Sequence, residues 1–332
     1  MKIKTVFSLA LGSILFLSVS LQAIEFKPFS FKSDQEATEY YQSHYRDGIN
    51  YYKQRRWRQS ITEFEKLIYF FPEAREISPA YYYLGVAYFQ IGEYDFANKA
   101  FSDYIKAPGH PEFFDNAVQY KFYIAESFSS GTRRRPLKFR YFPKWLPAKT
   151  MALSVYDEVI VALPSHELAA NSLYSKGNLL ASMRSYSESN EAFQMFIRRF
   201  PKHELVPQAY LKIGENYYEQ SQYEVQNPDI LALAEINSRR FKEEFPRDES
   251  YKILQEHLCK MKEVYAQGLA DIGKFYEKLG RPAAAIIYYQ AAIKDFPSTE
   301  VAKFCCTRLK KLGASISTDN VNDTPTIPQE AT

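Results

Sequence analysis

Apolar positions along the chain follow a two-part pattern. A small residue, usually behind an apolar one, is followed three positions later by a large apolar residue: Gly48 with Tyr51, Gly85 with Tyr88, Ala125 with Phe128, Gly177 with Leu180, Gly214 with Tyr217 and Gly273 with Tyr276. A second apolar stretch then carries a small residue and a ring, as in Ser60 and Phe64, Ala97 and Phe101, Ala152 and Tyr156, Ser189 and Phe193, Ala234 and Phe241, or Ala285 and Tyr289. Proline closes each pair at or near Pro72, Pro108, Pro164, Pro201, Pro246 and Pro297. Spacings of three and four residues predict helices, and the alternation predicts six two-helix units. Gly48 and Gly85 are 37 positions apart, as are Gly177 and Gly214. The interval from closing proline to next glycine is 13 at Pro72, Pro164 and Pro201. An insertion of about 15 residues separates the helices of the third unit.

The small residues let paired helices approach, rings fill the remaining space, and proline stops each second helix because it has no amide to donate. One pair leaves an apolar face open that the next covers. The expected fold is therefore all-α, a superhelical solenoid of about six helical hairpins over residues 38–312, with Gly48, Gly85, Ala125, Gly177, Gly214 and Gly273 at close contacts inside each hairpin. First helices should line a concave surface. Tyr45, Tyr52, Tyr82, Phe89, Phe122 and Tyr174 are placed on its open side as candidates for gripping an extended or amphipathic peptide. The segment 24–37 precedes the first hairpin, and its Phe26, Phe29 and Phe31 offer an alternative cover for the same groove.

Composition fits this reading. The 332 residues carry 27 Tyr, 25 Phe and 2 Trp but few glycines, which suits long helices joined through rings. Lys and Arg total 42 against 39 Asp and Glu, so charge gives no reason to expect nucleic acid as a partner. The start, with Lys2 and Lys4 before an apolar run from Val6 to about Val19 and a small residue at Ala23, reads as an export signal over residues 1–23. Its removal takes the formal charge from +3 to +1. The run is short for a membrane span. Residues 313–332 are polar and are expected to be disordered.

Chemistry finds little support. The five histidines have no metal-ligand spacing, and glycine-rich phosphate loops, nucleophile elbows and paired carboxylates are missing from the sequence. The expectation is a non-enzyme with no cofactor, metal or small-molecule substrate. Cys305 and Cys306 fall on different helical faces, and either free thiols or a pairing with Cys259 fits. The unusual segment is the insertion, 132–147, in which Arg133, Arg134, Arg135, Lys138, Arg140 and Lys144 meet no acid and are interleaved with Phe139, Tyr141, Phe142 and Trp145. It suits an anionic membrane surface or an acidic partner. A solvated loop with its rings against neighbouring helices suits it equally.

The pattern resembles the tetratricopeptide repeat, with units about three residues longer than usual. Within that class, Tyr45 to Pro72, Ala80 to Ala97, the Phe-Pro helix endings, and the run from Gln226 to Ala234 into a long helix through Leu254, Leu258, Met261, Tyr265 and Tyr276 resemble the BamD family of outer-membrane β-barrel assembly components. The chain departs from that family in having no cysteine directly after the apolar start, a sixth unit and the basic insertion. The resemblance implies a non-catalytic periplasmic scaffold, peripheral at the inner face of the outer membrane. Early repeats would receive barrel precursor peptides and late repeats would dock the barrel-forming insertase. A periplasmic adaptor for another envelope or cell-division complex is the alternative, and a regulatory subunit of an enzyme or of peptidoglycan chemistry is a third.

Overall fold

The computed structural model describes residues 31–72, 77–108, 111–135, 143–223 and 227–314. These form successive helical hairpins: α1 (Asp34–Lys53) with α2 (Trp57–Phe70), α3 (Ser78–Gln90) with α4 (Tyr94–Ile105), α5 (Phe114–Ser129) with α6 (Lys149–Ala162), α7 (Glu167–Ser182) with α8 (Tyr186–Arg199), and α9 (Val206–Tyr223) with α10 (Pro228–Glu244). The long α11 (Tyr251–Lys278) and α12 (Pro282–Asp295) make the sixth pair, and α13 (Glu300–Lys311) covers its open face. The expected all-α solenoid is what the chain forms. The expected export signal and polar tail lie outside the described residues. The first helix begins ahead of residue 38, because Ser33 Oγ accepts the Glu36 amide and the Glu36 carboxylate accepts the Lys32 amide, satisfying two free donors of the first turn.

Helix ends obey local rules. Phe71, Leu163, Phe200, Phe245 and Phe296 each precede a proline and cap the C-terminus of a helix with φ between −126° and −131°. The proline ring excludes helical geometry from the residue before it, so the helix must stop there. Turns inside four of the hairpins use one left-handed residue, seven positions after the small residue. Gly92 (φ 73°) and Gly280 (φ 69°) take it without strain, whereas Arg55 (φ 56°) and Arg184 (φ 63°) take it at a cost.

Inside four hairpins the glycine faces a ring sixteen positions later. A Cβ built on Gly48, Gly85, Gly177 or Gly273 would lie 2.6–2.9 Å from the ring of Phe64, Phe101, Phe193 or Tyr289. Ser60 and Ser189 reinforce two of these contacts by donating to the carbonyls of Gly48 (3.0 Å) and Gly177 (2.7 Å). The third hairpin keeps this register despite its insertion, with Ala125, Ala152 and Tyr156 all fully buried.

The fifth hairpin corrects the expectation. Asn237 of α10 donates to the Tyr210 carbonyl (3.0 Å), one turn before Gly214, and the ring of Phe241 sits against Tyr210. The space at Gly214 is filled by Leu254 of α11. Gly214 therefore makes its tight contact with the next unit, while its own hairpin meets it only at ordinary distance, through Asn237 Nδ2 (3.7 Å). The start of α11 packs on α9 and its end packs on α12, so this helix belongs to two units.

Candidate binding surface

Successive first helices touch one another from α1 through α3, α5 and α7 to α9, while second helices make no contacts of that extent, so the first helices line the inner side of the stack. The ring candidates sit there less openly than their spacing suggests. Tyr82 is buried and stacks on Phe113 (4.6 Å between centroids), because the chain entering α5 folds over it. Burial pushes its phenol pKa upward, helped by neighbouring tyrosines. Tyr45 turns an edge to Phe64, and Tyr52 lies between Trp57 and Tyr83. Phe89 meets Tyr94 and Tyr120, Phe122 approaches Tyr156, and Tyr174 contacts Phe193 and Phe196. These five are half-buried. The continuous exposed strip expected from the sequence is thus interrupted at Tyr82, and its other rings are half-buried in contacts between helices. Phe31, an expected groove occupant, instead packs on Tyr40, Phe70 and Phe71 at the edge of the first hairpin.

The basic insertion is held by acids from outside it. Arg133 and Arg134 form β1 (Arg133–Arg134), antiparallel to β2 (Leu146–Pro147). Arg135 grips both oxygens of Glu93, in the turn between α3 and α4, while its guanidinium lies over the Phe96 ring. Lys144 adds a second cation to Glu93 (3.3 Å) and donates to the Gly92 carbonyl (2.6 Å). Burial alone would raise the Glu93 carboxyl pKa, but the Arg135 hydrogen bonds and the Lys144 charge hold it below the usual range. Two of the six basic candidates are therefore spent on anchoring the loop, while Arg133 stays exposed. Lys138, Arg140 and the rings Phe139, Tyr141 and Phe142 lie outside the described residues, and Trp145 is exposed. The sequence reading missed Glu93. Its only signal was an acid directly after the turn glycine.

Beside Arg134 and Arg135 lies a cavity of about 720 Å³ lined also by Asp95, Phe96, Ser102 and Met151. Near it Lys121 of α5 is buried, bonded to Asn98 Oδ1 (2.7 Å), Ser102 Oγ (2.6 Å) and the Glu158 carboxylate (2.6 Å). Burial lowers its pKa against the pull of Glu158. A lysine in line with Val118, Ala125 and Phe128 on an apolar helix face was the sequence sign of a buried, partnered cation.

At the carboxyl end Phe275 of α11, Leu279 at its C-cap, Ile287 of α12 and Phe304 of α13 remain 39–60% exposed. Cys305 is buried there and its thiol pKa is pushed up to about 11, Cys306 is half-buried, Cys259 is exposed, and all three are free thiols. Among the described residues no group of three potential ligands is arranged to hold a metal ion, and no helix is long and apolar enough to cross a membrane.

The repeat architecture and the inner surface define a tetratricopeptide repeat protein, and residues 39–111 match the tetratricopeptide repeat family model. Residues 182–324 match the family described as outer membrane lipoprotein, so that segment is BamD-like. No match among curated proteins is found. Solved structures with a similar course include MamA (15% identity, covering 65% of this chain and 95% of that one, TM-score 0.36). A tetratricopeptide repeat protein from Parabacteroides merdae is similar at 13% identity (83% and 99% covered, TM-score 0.36), as is pilF of Pseudomonas aeruginosa at 11% (82% and 98% covered, TM-score 0.30).

Proposed function

We propose that the protein is a non-catalytic periplasmic scaffold at the outer membrane, whose early repeats receive barrel precursor segments and whose late repeats dock the β-barrel assembly machinery. The observation that carries this reading is the exposure of four large apolar side chains, Phe275, Leu279, Ile287 and Phe304, within the segment that matches the outer-membrane lipoprotein family. Such side chains, left about half open, suit protein partners, since burying the remainder of each would contribute about half of the roughly 1.5–3 kcal/mol of a fully exposed one. The inner side of the early hairpins offers the half-buried rings of Tyr45, Tyr52, Phe89 and Phe122 to a precursor, and Tyr174 extends this set toward the middle. Binding explains the arrangement without a catalytic group, cofactor or small-molecule substrate. The exposed Arg133 and Trp145 at the insertion suit an anionic membrane surface as an additional contact.

Co-purification tests this reading. The full-length protein, tagged at its carboxyl end and expressed in its own envelope, should bring down the barrel-forming insertase, and a Phe275→Ser, Ile287→Ser variant should lose it. Recovery of a cell-division or other envelope complex in its place would favour the adaptor.

A further inference from the structure

The cavity of about 720 Å³ beside Arg134 takes its described lining from α4 and its C-cap, the start of α6 and the insertion, which sets it apart from the inner surface built by the first helices. The chain fixes this corner closely. Arg134 pairs with Leu146 across the two strands, Arg135 is held on Glu93, and Lys144 on the Gly92 carbonyl. Yet the Arg134 side chain is left over, because its Nε is buried and has no hydrogen-bond partner among the described residues. A charged donor buried without an acceptor is costly, and what it lacks is an anion. Asn98 lines the same space and adds a second donor: its Oδ1 accepts from the buried Lys121 (2.7 Å), so its two Nδ2 hydrogens are the part of the amide left to give.

The charges lining the cavity do not cancel. Lys99 is paired with Asp103 (2.9 Å) and Arg135 with Glu93, which leaves Arg134 and Lys106 against Asp95, two cations for one acid. Asp95 accepts the Arg135 amide (3.3 Å), and burial raises its pKa against the pull of the neighbouring cations. Phe96 and Met151 give the remaining wall an apolar character. The volume exceeds what a single ion needs and falls in the range of about 300–1,000 Å³ common to small-molecule sites.

We propose that this cavity binds a single-chain amphiphile of the fatty-acid class, with its carboxylate on Arg134 Nε and the Asn98 amide and its chain along Phe96 and Met151. A single positive charge in excess matches a carboxylate. A phosphate-headed chain presents related chemistry, and the experiment separates the two.

Decanoate is titrated into the full-length protein by calorimetry below its micellar concentration. One molecule should bind per chain, about tenfold more weakly in Arg134→Met and unchanged in Arg133→Met, which removes a neighbouring charge at an exposed position. Met151→Trp, which fills the cavity from the α6 side, should weaken binding as well, and circular dichroism checks that each variant is folded. Decanol, which lacks the charge, and acetate, which lacks the chain, should both bind more weakly than decanoate. The Phe275→Ser, Ile287→Ser variant should bind decanoate like the wild type, and loss of binding there would move the ligand to the carboxyl end and overturn the proposal. Absence of saturable decanoate binding, or equal affinity in Arg134→Met, also overturns it. Tighter binding of decyl phosphate overturns the choice of head group. Binding to phosphatidylglycerol vesicles that Arg134→Met weakens, with no binding of decanoate, would make Arg134 a membrane contact and overturn the cavity as a site.

Discussion

The fourth and fifth hairpins begin from the same sequence sign and end in different structures. Gly177 meets Phe193 of its own partner helix and Ser189 ties the pair, while Gly214 meets Leu254 of the following unit. The difference lies in the helices. α7 runs five residues past Gly177 and α9 runs nine past Gly214, about one further turn, and α10 sits one turn along α9, with Asn237 on the Tyr210 carbonyl. A glycine at a helix surface thus states only that something comes close. What comes close depends on how long its own helix runs on before the chain turns back. The slide has a consequence at the carboxyl end, because α11 must reach back to fill the gap and so joins the fifth and sixth units into one body.

This comparison can be broken most forcefully at Leu254. Leu254→Ala should leave a cavity at Gly214 and cost about 2–5 kcal/mol, seen as a lowered denaturation midpoint. Adding Gly214→Ala should recover part of that loss by refilling the space, and a purely additive double variant would contradict the assigned contact. Next in size, Gly177→Leu should overpack the fourth hairpin against Phe193 by about 1–3 kcal/mol. Glu93→Gln should change global stability less but speed amide exchange at Arg134, Arg135 and Leu146 by freeing the insertion. Because the Glu93 carboxyl is held below its ordinary range, the wild-type tether is complete at neutral pH and is lost as pH falls through that lowered value, so acid should produce the same faster exchange. The smallest effect is a gain. Arg184→Gly should relieve the left-handed turn and raise stability by about 0.5–1 kcal/mol in thermal unfolding, an effect offset in part by the entropy glycine loses on folding.

The helices, their order and most of their ends were legible because each rests on a local rule: three-and-four spacing, proline after the last turn, a small residue opposite a ring. The insertion was legible as an interruption, since Ala125 and Tyr156 keep their relation once its length is subtracted. Partners across hairpins were not. Leu254 at Gly214, Glu93 on Arg135 and Lys144, and Phe113 on Tyr82 all join residues whose pairing depends on how one unit rotates on the next, and no local spacing records that rotation. The same gap separates the ring candidates from the surface the structure offers. Spacing put Tyr82 and Phe89 on one face, but only the packed stack shows one covered by Phe113 and the other held between Tyr94 and Tyr120.

The central claim is a division of labour between the early hairpins and the fused carboxyl end. It is tested by carrying two variants through two assays. Tyr52→Leu with Phe89→Leu keeps bulk between the helices while removing the rings, and Phe275→Ser with Ile287→Ser alters only exposed positions. The account predicts that the first variant binds a phenylalanine-ended precursor peptide more weakly, by about 1–2 kcal/mol per ring, yet still recovers the barrel-forming insertase, and that the second does the reverse. If either variant, folded by circular dichroism, loses both activities or neither, the two ends do not act separately and the account is wrong.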